Sequence, residues 1–309
     1  MRSQQIGKTG PTAPALVLGL MRIAQSSDAE IRALVGAAFD AGVTMIDHAD
    51  IYGGPPIHHC EARFAQAMRL TPAQRQGVII QTKAGIRDGF FDFSAAHLVE
   101  AAEASLKALG TDYIDILLLH RPDALMEPDE VAAAFDHLHG AGKVRHFGVS
   151  NHTPAQIELL KHSLRQPLIA NQVQLSIPYA PLIAQGVATN KDGLDLAVHR
   201  NFGLIDYSRL HGMTLQAWSP FRNPFTEKPF VGDRANCADL NTALDEIAAA
   251  HGVTPTGIAT AWITRHPAQI QVVLGTTSPA RLREAVAGAG VTLSREEWYR
   301  LFRAAGYKT

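Results

Sequence analysis

Short apolar runs alternate along this chain with longer stretches whose apolar residues recur every three or four positions. Eight runs read as strands: Val17–Leu20, Thr44–Asp47, Val78–Lys83, Tyr113–His120, His146–Asn151, Ala170–Leu175, Met213–Ser219 and Ile270–Gly275. Several of them, such as YIDILLLH, VIIQTK and QVVLG, are nearly continuous. Continuity of that kind suits parallel strands buried on both faces. Between the runs lie helical patterns. Ser26–Gly42 opens on cap-like serines and stops at a glycine. Ser94–Gly110 places Leu98, Ala102, Leu106 and Leu109 at helical spacing between a Ser cap and a Gly stop. Further helices are expected at Asp129–Gly140, Pro154–Leu164, Leu196–His211, Leu240–His251, Pro255–Arg265 and Pro279–Gly288. Pro154, Pro255 and Pro279 each follow Ser or Thr, as a first-turn proline does.

Eight strands in βα alternation predict an α/β fold, a (β/α)8 TIM barrel, as one domain over residues 1–309. An open doubly wound sheet is the competing topology. Its usual opening, G-x-G-x-x-G after the first strand, is missing. Two irregular insertions, Ile177–Gly193 and Phe221–Asn236, follow the sixth and seventh strands. Loops at strand C-termini are where barrels build their sites.

Composition narrows the function classes. The 28 Lys and Arg balance 29 Asp and Glu, which gives no electrostatic reason to expect a nucleic acid or an anionic membrane as partner. No run of 18 apolar residues is present, and the N-terminus has no signal-like apolar stretch. Two cysteines, Cys60 and Cys237, cannot make a disulfide framework. A cytoplasmic protein with a small-molecule substrate is expected. Nothing suggests obligate assembly, so a monomer or weak homo-oligomer is expected.

The polar residues that end the strands carry the candidate chemistry. Asp47, Lys83 and His120 each end a run, Tyr52 follows Asp47 by five residues, Ser150 and Asn151 end the fifth run, and Trp218 and Ser219 end the seventh. A carboxylate, an ammonium, a phenol and an imidazole at one mouth fit proton transfer. A phenol ionises near ~10, and a neighbouring ammonium lowers that value. Each residue alone has a bland reading: Asp47 could cap its loop and His120 could be a satisfied core histidine. Four of complementary type on successive strands favour function. No metal is called for, because His58, His59 and Cys60 are consecutive, lack ligand spacing and read as a loop. His137 and His139 point to different helix faces. Arg281 and Arg283, early in the last barrel helix after GTTSP, read as a solvated face or as a phosphate site.

The stretches DHADIYG, TKAG, YIDILLLHRPD, GKVRHFGVSN, NQVQ, AWSPF and LGTTSPARLREA occur in this order, and through them the chain resembles the aldo-keto reductase superfamily over nearly its whole length. DHADIYGG and LLLHRPD are similar to a bacterial oxidoreductase subgroup of it. The resemblance implies a barrel plugged at its base by a hairpin, here Gln4–Pro14, with long loops at its C-terminal face. It implies NADPH-dependent reduction of an aldehyde or ketone, with NADH as the competing cofactor. Asp47, Tyr52, Lys83 and His120 would be the catalytic residues, with Tyr52 as general acid, Lys83 lowering its pKa and His120 orienting the carbonyl. The nicotinamide amide would meet Ser150, Asn151 and Gln172, its ring Trp218, and the pyrophosphate Ser219 and Phe221. Thr276, Thr277, Ser278 and Arg281 would take the 2′-phosphate and Glu284 the adenine. Met21 and Arg22 would shape the substrate pocket. The segment TTSP lacks a lysine many members carry, and FRNPFTEKPFVGD replaces a glycine-rich stretch, where Arg222 and Lys228 would clasp the pyrophosphate. Two other functions compete: a cofactor-binding regulatory protein with little turnover, and a lyase forming a Schiff base on Lys83.

Overall fold

A computed structural model describes residues 1–189, 191, 195 and 202–308. Eight parallel strands close on themselves: β3 (Leu16–Gly19), β4 (Met45–Asp47), β5 (Ile79–Ala84), β6 (Ile114–Leu119), β7 (Val144–Ser150), β8 (Leu168–Gln174), β9 (Thr214–Trp218) and β10 (Gln271–Leu274), with β10 pairing back to β3. The expected barrel is therefore present, and each of the eight runs supplied one strand. All residues of β6, and all but the first of β5, are buried, as their continuous apolar sequence requires.

Before the barrel, β1 (Ser3–Gln5) and β2 (Thr12–Pro14) form an antiparallel hairpin. It closes the end where the strands begin. Ile6, fully buried in the hairpin turn, packs inside the barrel with Val17, Met45, Ile116, Leu118, Ile169 and Val273. Gly7 sits at φ +61° with its backbone N–H on Thr214 Oγ1. A Cβ there would lie 2.7 Å from Ile169 Cβ, so only glycine lets the turn reach the barrel floor.

Helices cover the outer face, and their caps follow the sequence signals. Ser27 caps α1 (Asp28–Asp40) in a capping box with Glu30, and Ser94 caps α4 (Ala95–Leu109), which ends at Gly110 in the left-handed region. Thr153, Thr254 and Ser278 cap α6 (Pro154–Ser163), α10 (Pro255–Thr264) and α11 (Pro279–Gly288), each with proline in the first turn. Helices α5 (Pro128–Gly140) and α9 (Ala238–His251) also lie where expected. Only Leu204–His211, α8, is described of the expected 196–211 helix, because residues 196–201 lie outside the described residues.

Four helices differ from the sequence reading. His59 and Cys60 are not loop residues: they begin α2 (His59–Met68), whose Cys60, Phe64 and Ala67 are buried at helical spacing. A short α3 (Pro72–Gln76) follows. The insertion after β8 holds α7 (Pro181–Ala188), anchored by Ile183, Ala184 and Ala188. The C-terminal α12 (Arg295–Ala304) packs through Trp298, Leu301 and Phe302, with Trp298 stacked on Trp262.

Candidate active site

The strand ends converge as a barrel mouth. Asp47 is the last residue of β4, Lys83 is next to last in β5, and His120 follows β6 with its N–H on Ala84 O. The loop from Asp47 to α2 then carries Tyr52 back over Lys83. That loop is held from both sides: Asp50 N–H donates to Lys83 O, His58 N–H to Asp50 O and Cys60 N–H to Tyr52 O.

Lys83 is fully buried. Its Nζ donates to Asp47 Oδ1 and Oδ2 at 2.8 and 2.7 Å, to His48 O at 2.8 Å and to Tyr52 Oη at 3.0 Å. The His120 and Tyr52 rings meet edge-on at 6.0 Å. The four expected residues therefore stand together. Burial alone would pull the Lys83 ammonium towards neutrality, but Asp47 and Tyr52 outweigh it and hold its pKa above the ordinary lysine value. A protonated, enclosed lysine is a poor amine nucleophile, which argues against a Schiff base at this position.

The phenol differs from the sequence expectation in its net direction. Burial raises the Tyr52 pKa above the ordinary tyrosine value, and the opposing pull of Lys83 only partly offsets it. Tyr52 therefore stays protonated well above neutrality. His120 is driven the other way: burial, Lys83 and Arg121 together hold its pKa well below the usual histidine value, so the ring is neutral near pH 7. Its buried Nδ1 has no hydrogen-bond partner among the described residues.

A groove of about 1420 Å³ runs from this cluster across the mouth to the N-terminus of α11. Asp47, Tyr52, His120, Ser150, Asn151, Gln172, Trp218, Ser219, Phe221, Thr276, Thr277, Ser278 and Arg281 line it, as do Met21 and Arg22. Lys83 stands behind Tyr52 rather than on the wall, and Glu284, further along α11, is not part of the lining either. Asn151 and Ser219 have φ of +63° and +52°. These positive angles turn the chain sharply at the ends of β7 and β9, a strain typical of functional positions. Asn151 Nδ2 then donates to Ser150 Oγ at 2.8 Å and its Oδ1 accepts from Trp218 Nε1 at 3.0 Å, which fixes the indole at the rim. In the loop after β9, Arg222 pairs with Glu227 at 2.7 Å while Lys228 lies exposed on the groove.

Two sets of buried polar residues escaped the sequence reading. One supports the Tyr52 loop: Glu61, fully buried, accepts from Thr82 Oγ1 at 2.5 Å and pairs with His58 Nδ1 at 2.6 Å. The helical spacing of α2 was its available signal. The other is a group of glutamines, Gln81, Gln216 and Gln271, inside the barrel. Among the described residues, no group of three or more His, Cys, Asp or Glu is arranged to hold a metal ion.

A family profile described as the Aldo/keto reductase family matches residues 15–305. The chain belongs to that family. It is 35% identical to oxidoreductase YdhF of Escherichia coli K12, over 98% of this chain and 97% of that one. It is 34% identical to the 6-dehydroglucose reductase of Agrobacterium fabrum, over 94% of this chain and 93% of the other. Among solved structures, a thermostable aldo-keto reductase in complex with the inhibitor epalrestat superposes with a TM-score of 0.78 at 27% identity, covering 98% of this chain and all of that one. This aldo/keto reductase is thus an oxidoreductase with a TIM barrel fold. Among the described residues no helix is long and apolar enough to cross a membrane.

Asp50 gives a pH test of how the Tyr52 loop is held. Burial first, and then the charge of Glu61, push its carboxyl up to about 7 from an ordinary 3.8. The folded protein therefore keeps a proton that the unfolded chain has released. The stability tied to this group is complete below an ordinary aspartate pKa and is lost as pH rises to about 7. Asp50→Asn keeps the acceptor for the Ile51 N–H. It is expected to match the parent near pH 4 and to exceed it near pH 8 by a few kcal/mol, at roughly 1.4 kcal/mol per pH unit. Urea unfolding at the two pH values measures this, and a pH-independent difference would contradict it.

Proposed function

We propose that this protein, acting as one barrel domain over residues 1–309, reduces an aldehyde or ketone to an alcohol with NADPH. The observation that carries the reading is the buried Lys83 ammonium, bonded at once to Asp47 and to a tyrosine that faces a groove of about 1420 Å³ reaching the N-terminus of α11. The name of the 6-dehydroglucose reductase relatives fits reduction of a carbonyl substrate.

The groove suits a nicotinamide dinucleotide. At one end the half-buried Trp218 offers a flat ring beside the amide groups of Asn151 and Gln172. At the other, the N-terminus of α11 faces the groove with Thr276, Thr277, Ser278 and Arg281 around it, a fit for a phosphate. Ser219 and Phe221 lie between, where a pyrophosphate would cross. Lys228, with Arg222, would clasp it from the loop after β9. Glu284, which the family resemblance would bring to the adenine, lies beyond the residues that line this groove. When bound, the cofactor supplies the hydride.

The chain's own residues supply the proton and its control. Tyr52 Oη donates its proton to the carbonyl oxygen as negative charge builds there. The phenolate left behind is stabilised by Lys83 Nζ, already 3.0 Å away. Asp47 keeps that ammonium charged and fixed, so little rearrangement accompanies the proton's departure. A neutral His120 retains one ring N–H to point at the carbonyl oxygen without competing as a strong acid. The high pKa of Tyr52 keeps the acid loaded across the physiological range. Met21 and Arg22, both exposed, flank the opening.

Tyr52→Phe is expected to bind NADPH like the parent and to lose at least ~100-fold in kcat, the lower end of what general acid catalysis contributes. Tryptophan fluorescence titration and loss of nicotinamide absorbance measure the two properties. Reduction at the parent rate would overturn the assignment. Arg281→Ala is expected to weaken NADPH by about 1.5–3 kcal/mol, as for a lost charge-assisted bond, and to leave NADH nearly unchanged. Equal weakening of both would remove Arg281 from the 2′-phosphate site.

A further inference from the structure

Five polar side chains occupy one level inside the barrel, where barrels ordinarily stack aliphatic residues. Asp47 on β4 is the direct register partner of Gln81 on β5. Across the barrel, Gln172 on β8 is paired with Gln216 on β9, and Gln216 with Gln271 on β10. Gln81, Gln216 and Gln271 are fully buried and none of the three lines the groove. A buried amide costs more than a leucine unless its hydrogen bonds are made. These bonds are made, and they run to Asp47.

The path starts at the hairpin. Gln271 Nε2 donates to Pro14 O at 2.7 Å, and its Oε1 accepts from Gln216 Nε2 at 2.9 Å. Gln216 Oε1 accepts from Gln81 Nε2 at 2.9 Å and from Gln172 Nε2 at 3.2 Å. Gln216 Nε2 also donates to Gln81 Oε1 at 3.1 Å, so these two amides are doubly bonded. Both Gln81 Nε2 and Gln172 Nε2 then donate to Asp47 Oδ1, at 2.6 and 2.9 Å. The two ends of the path, a carbonyl and a carboxylate, can only accept. Every amide between them is therefore fixed in orientation: Pro14 O demands the NH₂ of Gln271, and so on until two NH₂ groups face Asp47.

From this network we infer that Gln81, braced by Gln216 and Gln271, is a positioning residue that keeps the Asp47–Lys83 pair ionic and aimed at Tyr52. The inference rests on the reading of Tyr52 as the acid. A buried ion pair can collapse when one proton passes from Lys83 Nζ to an Asp47 oxygen, leaving a neutral amine and a neutral acid. Amide donors on the carboxylate oppose that transfer by stabilising the anion. They also hold Asp47 still while its oxygens grip Nζ. The other charged or titratable groups near the phenol are Asp50 and His48, from the loop and the end of β4, and His120 and Arg121 after β6. Of these, His48 meets Gln81 through the backbone alone, its N–H on Gln81 O at 2.8 Å, and among the described residues none of them bonds the Gln81 side chain.

The test titrates Tyr52 itself in the cofactor-free protein. All six tyrosines are replaced by 3-fluorotyrosine, and the position-52 fluorine resonance is assigned by its loss in Tyr52→Phe. In Gln81→Met the pair relaxes towards neutrality, Tyr52 loses the nearest positive charge, and its midpoint is expected to rise by about one pH unit. Gln216→Met leaves both donors on Asp47 but unbraced, and is expected to move the midpoint in the same direction by less. Turnover of 4-nitrobenzaldehyde with NADPH should fall about tenfold in Gln81→Met at unchanged KM for NADPH, matching that unit. A role confined to packing would lower the melting temperature and leave the midpoint where it was. Should Gln81→Met fail to fold, Gln216→Met decides: an upward shift supports the inference and a parental midpoint overturns it. A fully active Tyr52→Phe would defeat the acid reading itself. An inactive Tyr52→Phe alongside a parental midpoint in the glutamine variants would defeat this inference alone.

Discussion

A lysine shut off from solvent must have its charge satisfied by fixed neighbours, and in this protein that requirement organises the whole mouth of the barrel. Lys83 meets it with both oxygens of Asp47, one carbonyl and one phenol. A carboxylate and an ammonium lose far more solvation on burial than surface ions do, so a pair of this kind survives only with good geometry and additional donors. The geometry comes from adjacent parallel strands, β4 and β5, and the additional donors come from Gln81 on β5 and Gln172 across the barrel on β8. The phenol is thereby placed against a permanent positive charge that costs no reorganisation when the proton leaves.

The fold makes such an arrangement affordable to keep rigid. Closure of the sheet leaves no barrel edge to fray, and the hairpin fills the opposite end with Ile6 and a glycine turn that admits no side chain. The floor and the mouth are connected through polar contacts as well as packing, since Pro14 and Asp47 stand at the two ends of one amide path. The residues proposed to meet the pyrophosphate and to shape the substrate pocket, Ser219, Phe221, Met21 and Arg22, by contrast, sit on loops. The stretch after β9 is tied by Arg222 to Glu227 and by backbone bonds from Asn223 to Lys228, which keeps it ordered at the rim without closing the groove.

Much of this was legible in the residues. Eight β-rich runs showed eight strands because parallel strands buried on both faces need near-continuous apolar sequence, and the Ser-Pro and Thr-Pro pairs marked helix starts by a local mechanism. Asp47, Lys83 and His120 stood out because each breaks an apolar run at its C-terminal end. Helix α2 was hidden by its start: two prolines and two histidines suggest a loop, while the apolar spacing of Cys60, Phe64 and Ala67 is short. The insertion holding α7 hid for a similar reason. The balance of effects on Tyr52 was not readable, because the pull of Lys83 follows from residue types whereas burial is a property of the folded surroundings. Gln81, Gln216 and Gln271 look like ordinary strand residues until register brings them to one level.

The proposed carbonyl reduction requires that the buried ammonium of Lys83 make Tyr52 a working acid. The most direct measurement follows label from NADPH deuterated at C4 of the nicotinamide into a benzaldehyde-type substrate, by mass spectrometry, with the parent and with Lys83→Met. Deuterium is expected on the alcohol carbon with the parent, and with Lys83→Met a protein that binds NADPH but forms almost no labelled alcohol. Labelled product at the parent rate from Lys83→Met would contradict it.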